Sequence, residues 1–281
     1  MPTVALALGS GGARGYAHIG AIRELEARGY KITSISGTSM GAMVGGLYAA
    51  GHLEEFADWV THLSQRSVIG LMDPSLRTPG LIKAERVMKK VRKMLKGARI
   101  EDLSIPYTAV ATDLMHSKEV WFQEGPLDTA IRASIAMPSL ISAVTIGGRL
   151  MADGGLLNPL PIAPLASHNA DLLVAISLSG PSAESLGSPL LISSDAKSRD
   201  LRTDRSNLAK IPRKINSFDV LNQAIETMQV LITRYRTAGY PPDVMVEIPI
   251  DSVGMLDFHK AKNQIELGRM LTAQTLDNVN G

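Results

Sequence analysis

Gly37-Thr38-Ser39-Met40-Gly41 sets a serine between two glycines in the pattern Gly-x-Ser-x-Gly. That spacing suits a sharp turn from strand to helix. The small flanking residues let the backbone pass tightly, and the serine Oγ projects at a helix N-terminus, where an acyl-transfer nucleophile would stand. So short a pattern also arises by chance in a chain with 25 glycines, and a purely structural glycine turn is the competing reading. The setting favours a nucleophile: the strand Ile32–Ser36 precedes it and an uncharged helix, Met40–Ala50, follows.

A second run, Gly9-Ser10-Gly11-Gly12-Ala13-Arg14-Gly15, follows a short apolar strand and opens a helix. Backbone N–H groups in such a place make an anion site. A dinucleotide fingerprint needs a glycine at the sixth position, which is Arg14 here, and an acidic residue at the end of the second strand, which is absent. A phosphate-binding P-loop fails as well, because no Gly-Lys-Ser/Thr follows. An oxyanion hole remains, with a plain tight turn as its alternative. Third comes Asp153-Gly154-Gly155, directly after the strand Arg149–Ala152. A carboxylate there can point into the crevice where α/β sites lie, although Asp-Gly is also a common turn.

A nucleophilic serine normally needs a base. Of the six histidines, the usual chain order of serine, acid, histidine leaves His168 and His259. One lies in a polar stretch and the other near the start of the closing helix. Neither has the pattern of a catalytic loop, and both read as structural or solvated.

The elements that must position these residues form a repeating strand–turn–helix pattern. Thr3–Leu8 and Ile32–Ser36 read as buried strands, and Tyr16–Arg28 and Met40–Ala50 as the helices after them. Further strands are predicted at Tyr107–Ala111, Glu119–Phe122, Arg149–Ala152, Leu172–Ser177 and Val244–Ile248. Helices are predicted at Leu127–Ser134, Phe218–Tyr235 and Phe258–Leu276. The alternation gives an α/β fold with a central, mostly parallel sheet flanked by helices. No repeat or domain boundary interrupts it, so residues 1–281 read as a single domain. Gly180–Ser217, rich in Ser, Gly and Pro and then in alternating charges, reads as a mobile insert or lid.

Composition narrows the function classes. The chain has 281 residues, is 45% hydrophobic and carries a net charge of +2, so a polyelectrolyte partner is not the default. Twelve aromatics (4 Phe, 2 Trp, 6 Tyr) are too few for a base-stacking nucleic-acid platform. The absence of cysteine excludes disulfides, thiolate metal sites and a cysteine nucleophile. No metal-ligand spacing occurs, and no cofactor is expected. The N-terminus has no basic region or apolar run fit for a signal peptide. The uncharged stretch Ile32–Leu53 is broken by Ser, Thr and Gly, so no membrane span is expected. A cytoplasmic protein is expected, with peripheral contact at the inner membrane face.

Taken together, the three motifs resemble the patatin-like phospholipases of bacteria, the RssA-like subgroup being nearest in appearance. The likeness extends to Ala109–Leu114, Arg132–Pro138, Asp153–Pro159 and Leu256–His259, and spans roughly Val4 to Leu276. It implies a patatin-like α/β domain and a Ser–Asp dyad in place of a triad. Ser39 would be the nucleophile and Asp153 its proton acceptor. Gly11 and Gly12 match the oxyanion-hole glycines, and Arg14 matches the basic residue beside them. Ser10 departs from the pattern, which usually has glycine there. The implied activity is hydrolysis of carboxylic esters in acyl lipids or lysophospholipids, with no cofactor. A carboxylate base predicts activity that rises through a carboxylate pKa, without an imidazole inflection near ~6.5.

Other readings stand beside it. The same Ser39 could serve an acyltransferase, or the site could be vestigial in a regulatory module. Ala84–Leu95 places Ala84, Val87, Met88, Val91 and Leu95 on one helical face with Arg and Lys elsewhere, either a lipid-binding helix or an ordinary surface helix. Methionines at 40, 43, 137, 151, 228 and 255, several of them near the motifs, fill the core or line an acyl tunnel. The stripe along Phe218–Tyr235 could serve a homodimer as readily as a core.

Overall fold

The structure, a computed structural model, describes residues 1–71, 84–138, 140–182 and 217–280. Most of the insert expected at Gly180–Ser217, residues 183–216, lies outside the described residues. Eight strands form one sheet: β1 (Thr3–Leu8), β2 (Lys31–Thr38), β3 (Tyr107–Asp113), β4 (Lys118–Phe122), β5 (Val144–Ile146), β6 (Arg149–Asp153), β7 (Leu172–Gly180) and β8 (Val244–Pro249). The helices are α1 (Ala17–Ala27), α2 (Met40–Ala49), α3 (Leu53–Thr61), α4 (Gln65–Leu71), α5 (Glu85–Leu95), α6 (Leu127–Ser134), α7 (Ser217–Gly239) and α8 (Ala261–Asn280).

Strands β3, β2, β1, β7 and β8 run parallel in that order; β4 and β6 pair antiparallel with β3, and β5 pairs antiparallel with β6. The chemistry of the central strands explains their place. In β1, Val4, Leu6 and Leu8 enter the main core on one face, while Ala5 and Ala7 meet Leu160, Ile162 and Leu165 on the other. Strands covered on both faces read as continuous apolar runs, as this one does. Helix α2 keeps three glycines because nearly all of it is buried, and packing rather than propensity holds it.

Register at β3 brings two strand ends together. Along one side of β3 lies β4. Along the other, β2 pairs as far as Thr38 with Val110, and β6 takes over at Ala111 with Asp153. Because β2 runs parallel to β3 and β6 antiparallel, their C-terminal ends meet head-on beside two consecutive β3 residues. Ser39 follows the first end and Asp153 closes the second.

The two helices α3 and α4 and the three-residue strand β5 were not expected from the sequence. Helix α1 begins at Ala17 because Gly12–Tyr16 form a tight 3-10 turn, and α8 begins at Ala261, after a similar turn. The apolar stripe of α5 (Met88, Val91, Leu95) is buried in the main core, so this helix does not offer it to lipid; only its basic face is exposed.

Candidate active site

The turn between β2 and α2 is a strained elbow. Ser39 has φ of 57° and ψ of −121°, in the region that side chains rarely adopt. A Cβ at Gly37 would run into the Gly41 carbonyl, and one at Gly41 into the Leu8 carbonyl. The two glycines are therefore required by close approach of the backbone. The Ser39 N–H donates to Ser134 Oγ at 2.8 Å, and that hydroxyl donates to the Val110 carbonyl at 2.6 Å. Ser134 thus ties the elbow to β3. No local motif marks this serine, although the likeness at Arg132–Pro138 includes it.

Asp153 is completely buried. Its backbone is fixed on both sides: the N–H donates to the Ala136 carbonyl at 2.9 Å, and its carbonyl accepts from Thr112 Oγ1 at 3.0 Å. Its Oδ1 accepts the Gly155 N–H at 2.7 Å, while Oδ2 accepts no fully formed hydrogen bond. Burial pushes this carboxyl up to about 7, even though the Ser39 hydroxyl and the Gly155 N–H both favour its charged form. An inflection expected in the ordinary carboxylate range therefore moves into the imidazole range, and its position alone no longer separates the two kinds of base.

The glycine loop lies across from this pair. Gly12 has φ of 57°, and a Cβ there would stand 2.6 Å from the Met255 carbonyl. Ser10, Ala13 and Arg14 spend their N–H groups on Pro159, Met255 and Gly11 carbonyls, at 2.8, 2.9 and 3.2 Å. The N–H groups of Gly11 and Gly12 make no such bond among the described residues. The Arg14 side chain turns away: it donates to the Ile250 carbonyl and pairs with Glu226 of α7, beside a small polar cleft that also includes Gln229 and Thr233. It braces the loop and does not reach toward Ser39's cavity.

His18, unassigned in the sequence reading, is fully buried on α1. Its Nε2 donates to the Gly9 carbonyl at 2.8 Å, and burial drops its pKa to about 4, so it stays neutral and steadies the loop. His168 precedes β7 at the N-terminal end of that strand, opposite the crevice, and His259 follows Phe258; neither bonds to Ser39 or Asp153. Among the described residues no cluster of His, Asp or Glu could hold a metal ion.

Ser39 opens into an apolar cavity of about 130 Å³. Gly12, Met40, Met43, Met137, Leu140 and Met255 are among its walls. Met151 instead packs with Ala111 and Ala133, away from it. Among the described residues no helix is long and apolar enough to cross a membrane.

Comparison with known proteins gives the family and the fold. Uncharacterized NTE family proteins of Mycobacterium bovis and Mycobacterium tuberculosis are 44% identical to this chain over 98% of its length and 92% of theirs. Lysophospholipase NTE1 of Debaryomyces hansenii is 32% identical over 62% of this chain and 12% of its own. The crystal structure of VipD from Legionella pneumophila has the same fold, with a TM-score of 0.51 over 99% of this chain and 67% of that one, at 14% identity. The family model described as patatin-like phospholipase matches residues 6–166, which include the glycine loop, the serine elbow and Asp153. With more than half of its length matched, the chain belongs to the patatin-like phospholipase family.

Proposed function

We propose that the protein is a serine acyl hydrolase that cleaves carboxylic esters of lipids, of the phospholipase A or lysophospholipase type. One observation carries the reading: a desolvated carboxylate, Asp153, stands beside the strained Ser39 at an apolar cavity. A base with a pKa of about 7 is matched to neutral pH, where it is partly ionised and still basic enough to accept a proton. Ser39 Oγ attacks the ester carbonyl as its proton passes to Asp153. The negative oxygen of the tetrahedral intermediate takes the N–H groups of Gly11 and Gly12. Collapse expels the alcohol, which recovers the proton from Asp153 and leaves an acyl-Ser39. Water, deprotonated by Asp153, then adds to that ester, and collapse of the second intermediate releases the fatty acid and restores the Ser39 hydroxyl.

The apolar walls suit an acyl chain, and the lysophospholipase name of the Debaryomyces relative supports the substrate class. The assay is release of fatty acid from a lysophospholipid and from a short-chain aryl ester. Wild type is expected to turn over both, with Ser39→Ala and Asp153→Asn at or near background. Activity undiminished in Ser39→Ala would overturn the assignment. An added acceptor alcohol or thiol distinguishes hydrolysis from acyl transfer through the same serine.

A further inference from the structure

Helix α7 is amphipathic in the reverse of the usual sense. Its inner face, apart from Ile225, carries polar groups. Glu226 pairs with Arg14, Gln229 is buried beside Gly155, and Arg236 pairs with Glu119. Its outer face carries an apolar stripe over about four turns: Leu221, Ala224, Met228, Leu231 and Tyr235 follow one another at spacings of three and four and are all exposed, Tyr235 by 73%. Single exposed apolar residues are ordinary, but a continuous stripe of them marks a binding surface.

The occupant follows from charge and from what the helix adjoins. From Val220 to Gly239 the sole carboxylate is Glu226, turned inward on Arg14, and the one outward charge is Arg234. Ile225 of α7 packs with Met137 and Leu140, two residues of the cavity wall. Ala84 and Val87, at the start of α5, line the same cavity, and Lys89, Lys90, Lys93 and Lys96 are exposed on that helix. The apolar stripe therefore belongs to a helix packed behind one wall of the cavity, and the basic face to a helix that lines it. Basic charge draws anionic headgroups, while apolar side chains enter the boundary with the acyl chains.

We infer that the outer face of α7, together with the basic face of α5, docks the protein on an anionic lipid surface and sets the cavity toward it. The apolar part comes from α7, because the stripe of α5 is already used in the core. This rests on the lipid-ester reading above, so the test measures binding apart from catalysis. Full-length Ser39→Ala protein is sedimented with vesicles of phosphatidylglycerol and phosphatidylcholine, and with vesicles of phosphatidylcholine alone.

Binding to the anionic vesicles is expected, weakened by salt. It should fall roughly tenfold or more when Met228→Glu and Leu231→Glu are combined, and also when Lys89, Lys90 and Lys93 are changed to Glu. In an otherwise wild-type chain, both sets should leave short-chain ester hydrolysis unchanged, which also reports correct folding. No binding to anionic vesicles, equal binding to both kinds, or full binding by the α7 variant would overturn the proposal. A dimer in solution that the α7 variant dissociates would overturn it too, by making the stripe an interface between copies. If binding holds but wild type hydrolyses neither ester, docking stands and the catalytic reading fails.

Discussion

Asp153→Asn should stabilise the protein while destroying its activity. The carboxyl is raised by burial from 3.8 to about 7, so the folded state disfavours the charge that catalysis would use. Each unit corresponds to about 1.4 kcal/mol, and a difference of about three units costs the fold about 4 kcal/mol at pH 8. The sign follows from where each state loses its proton. Below about pH 4 the carboxyl is protonated in both folded and unfolded chains, and the cost is absent. It grows as pH rises from about 4, where the unfolded chain deprotonates, to about 7, where the folded one does, and is constant above. Asparagine keeps an oxygen for the Gly155 N–H and never ionises. The assay is thermal unfolding of both proteins from about pH 4 to 8. At pH 8 the variant should melt about 8 °C or more above wild type, at about 2 °C per kcal/mol for a chain of this size. The gap should close toward pH 4. Equal melting at pH 8, or a gap of unchanged size at both ends, would refute the claim that Asp153 is a buried charge.

Three further outcomes follow from the site. Gly12→Ala should lower kcat roughly 100-fold, the usual loss for a misplaced oxyanion donor, because its Cβ would press on the Met255 carbonyl at a φ that disfavours alanine; steady-state kinetics on a short-chain ester read it. Ser134→Ala leaves the buried Ser39 N–H without its acceptor and should cost about 1–3 kcal/mol in denaturant unfolding, with reduced turnover as the elbow loosens. Leu140→Trp narrows the cavity and should shift preference toward shorter acyl chains in a series of esters differing only in acyl length, with Ser39 labelling by a small reagent unchanged.

The elbow was legible because its constraint is local: glycines two positions either side of a serine, between an apolar strand and an uncharged helix, leave few conformations. Asp153 was harder. Its meeting with Ser39 depends on β6 running antiparallel to β3 against the end of β2, a register that no local pattern encodes. The Asp-Gly-Gly turn at a strand end marked it as a candidate, and only the family likeness made it the partner of Ser39. The raised pKa was not legible either, since burial is a property of the whole fold. Periodicity showed a stripe on both α5 and α7 but not its direction: one faces the core and the other faces outward. The family likeness placed Arg14 with the oxyanion glycines. The partner that holds its side chain, Glu226, lies more than two hundred residues away. The helices α3 and α4 and the short strand β5 passed unnoticed between stronger signals.

The pH dependence of Ser39 labelling by a fluorophosphonate decides whether Asp153 activates the serine, with the adduct located by mass spectrometry and Ser39→Ala and Asp153→Asn alongside. One adduct, on Ser39, is expected, formed at a rate that rises with pH through about 7 and then levels. The inflection should scarcely move with temperature, as carboxyl ionisation does not and imidazole ionisation does. Asp153→Asn should label slowly and show no inflection. No adduct on folded wild type, or an Asp153→Asn protein that labels at full rate with the inflection intact, would contradict that activation.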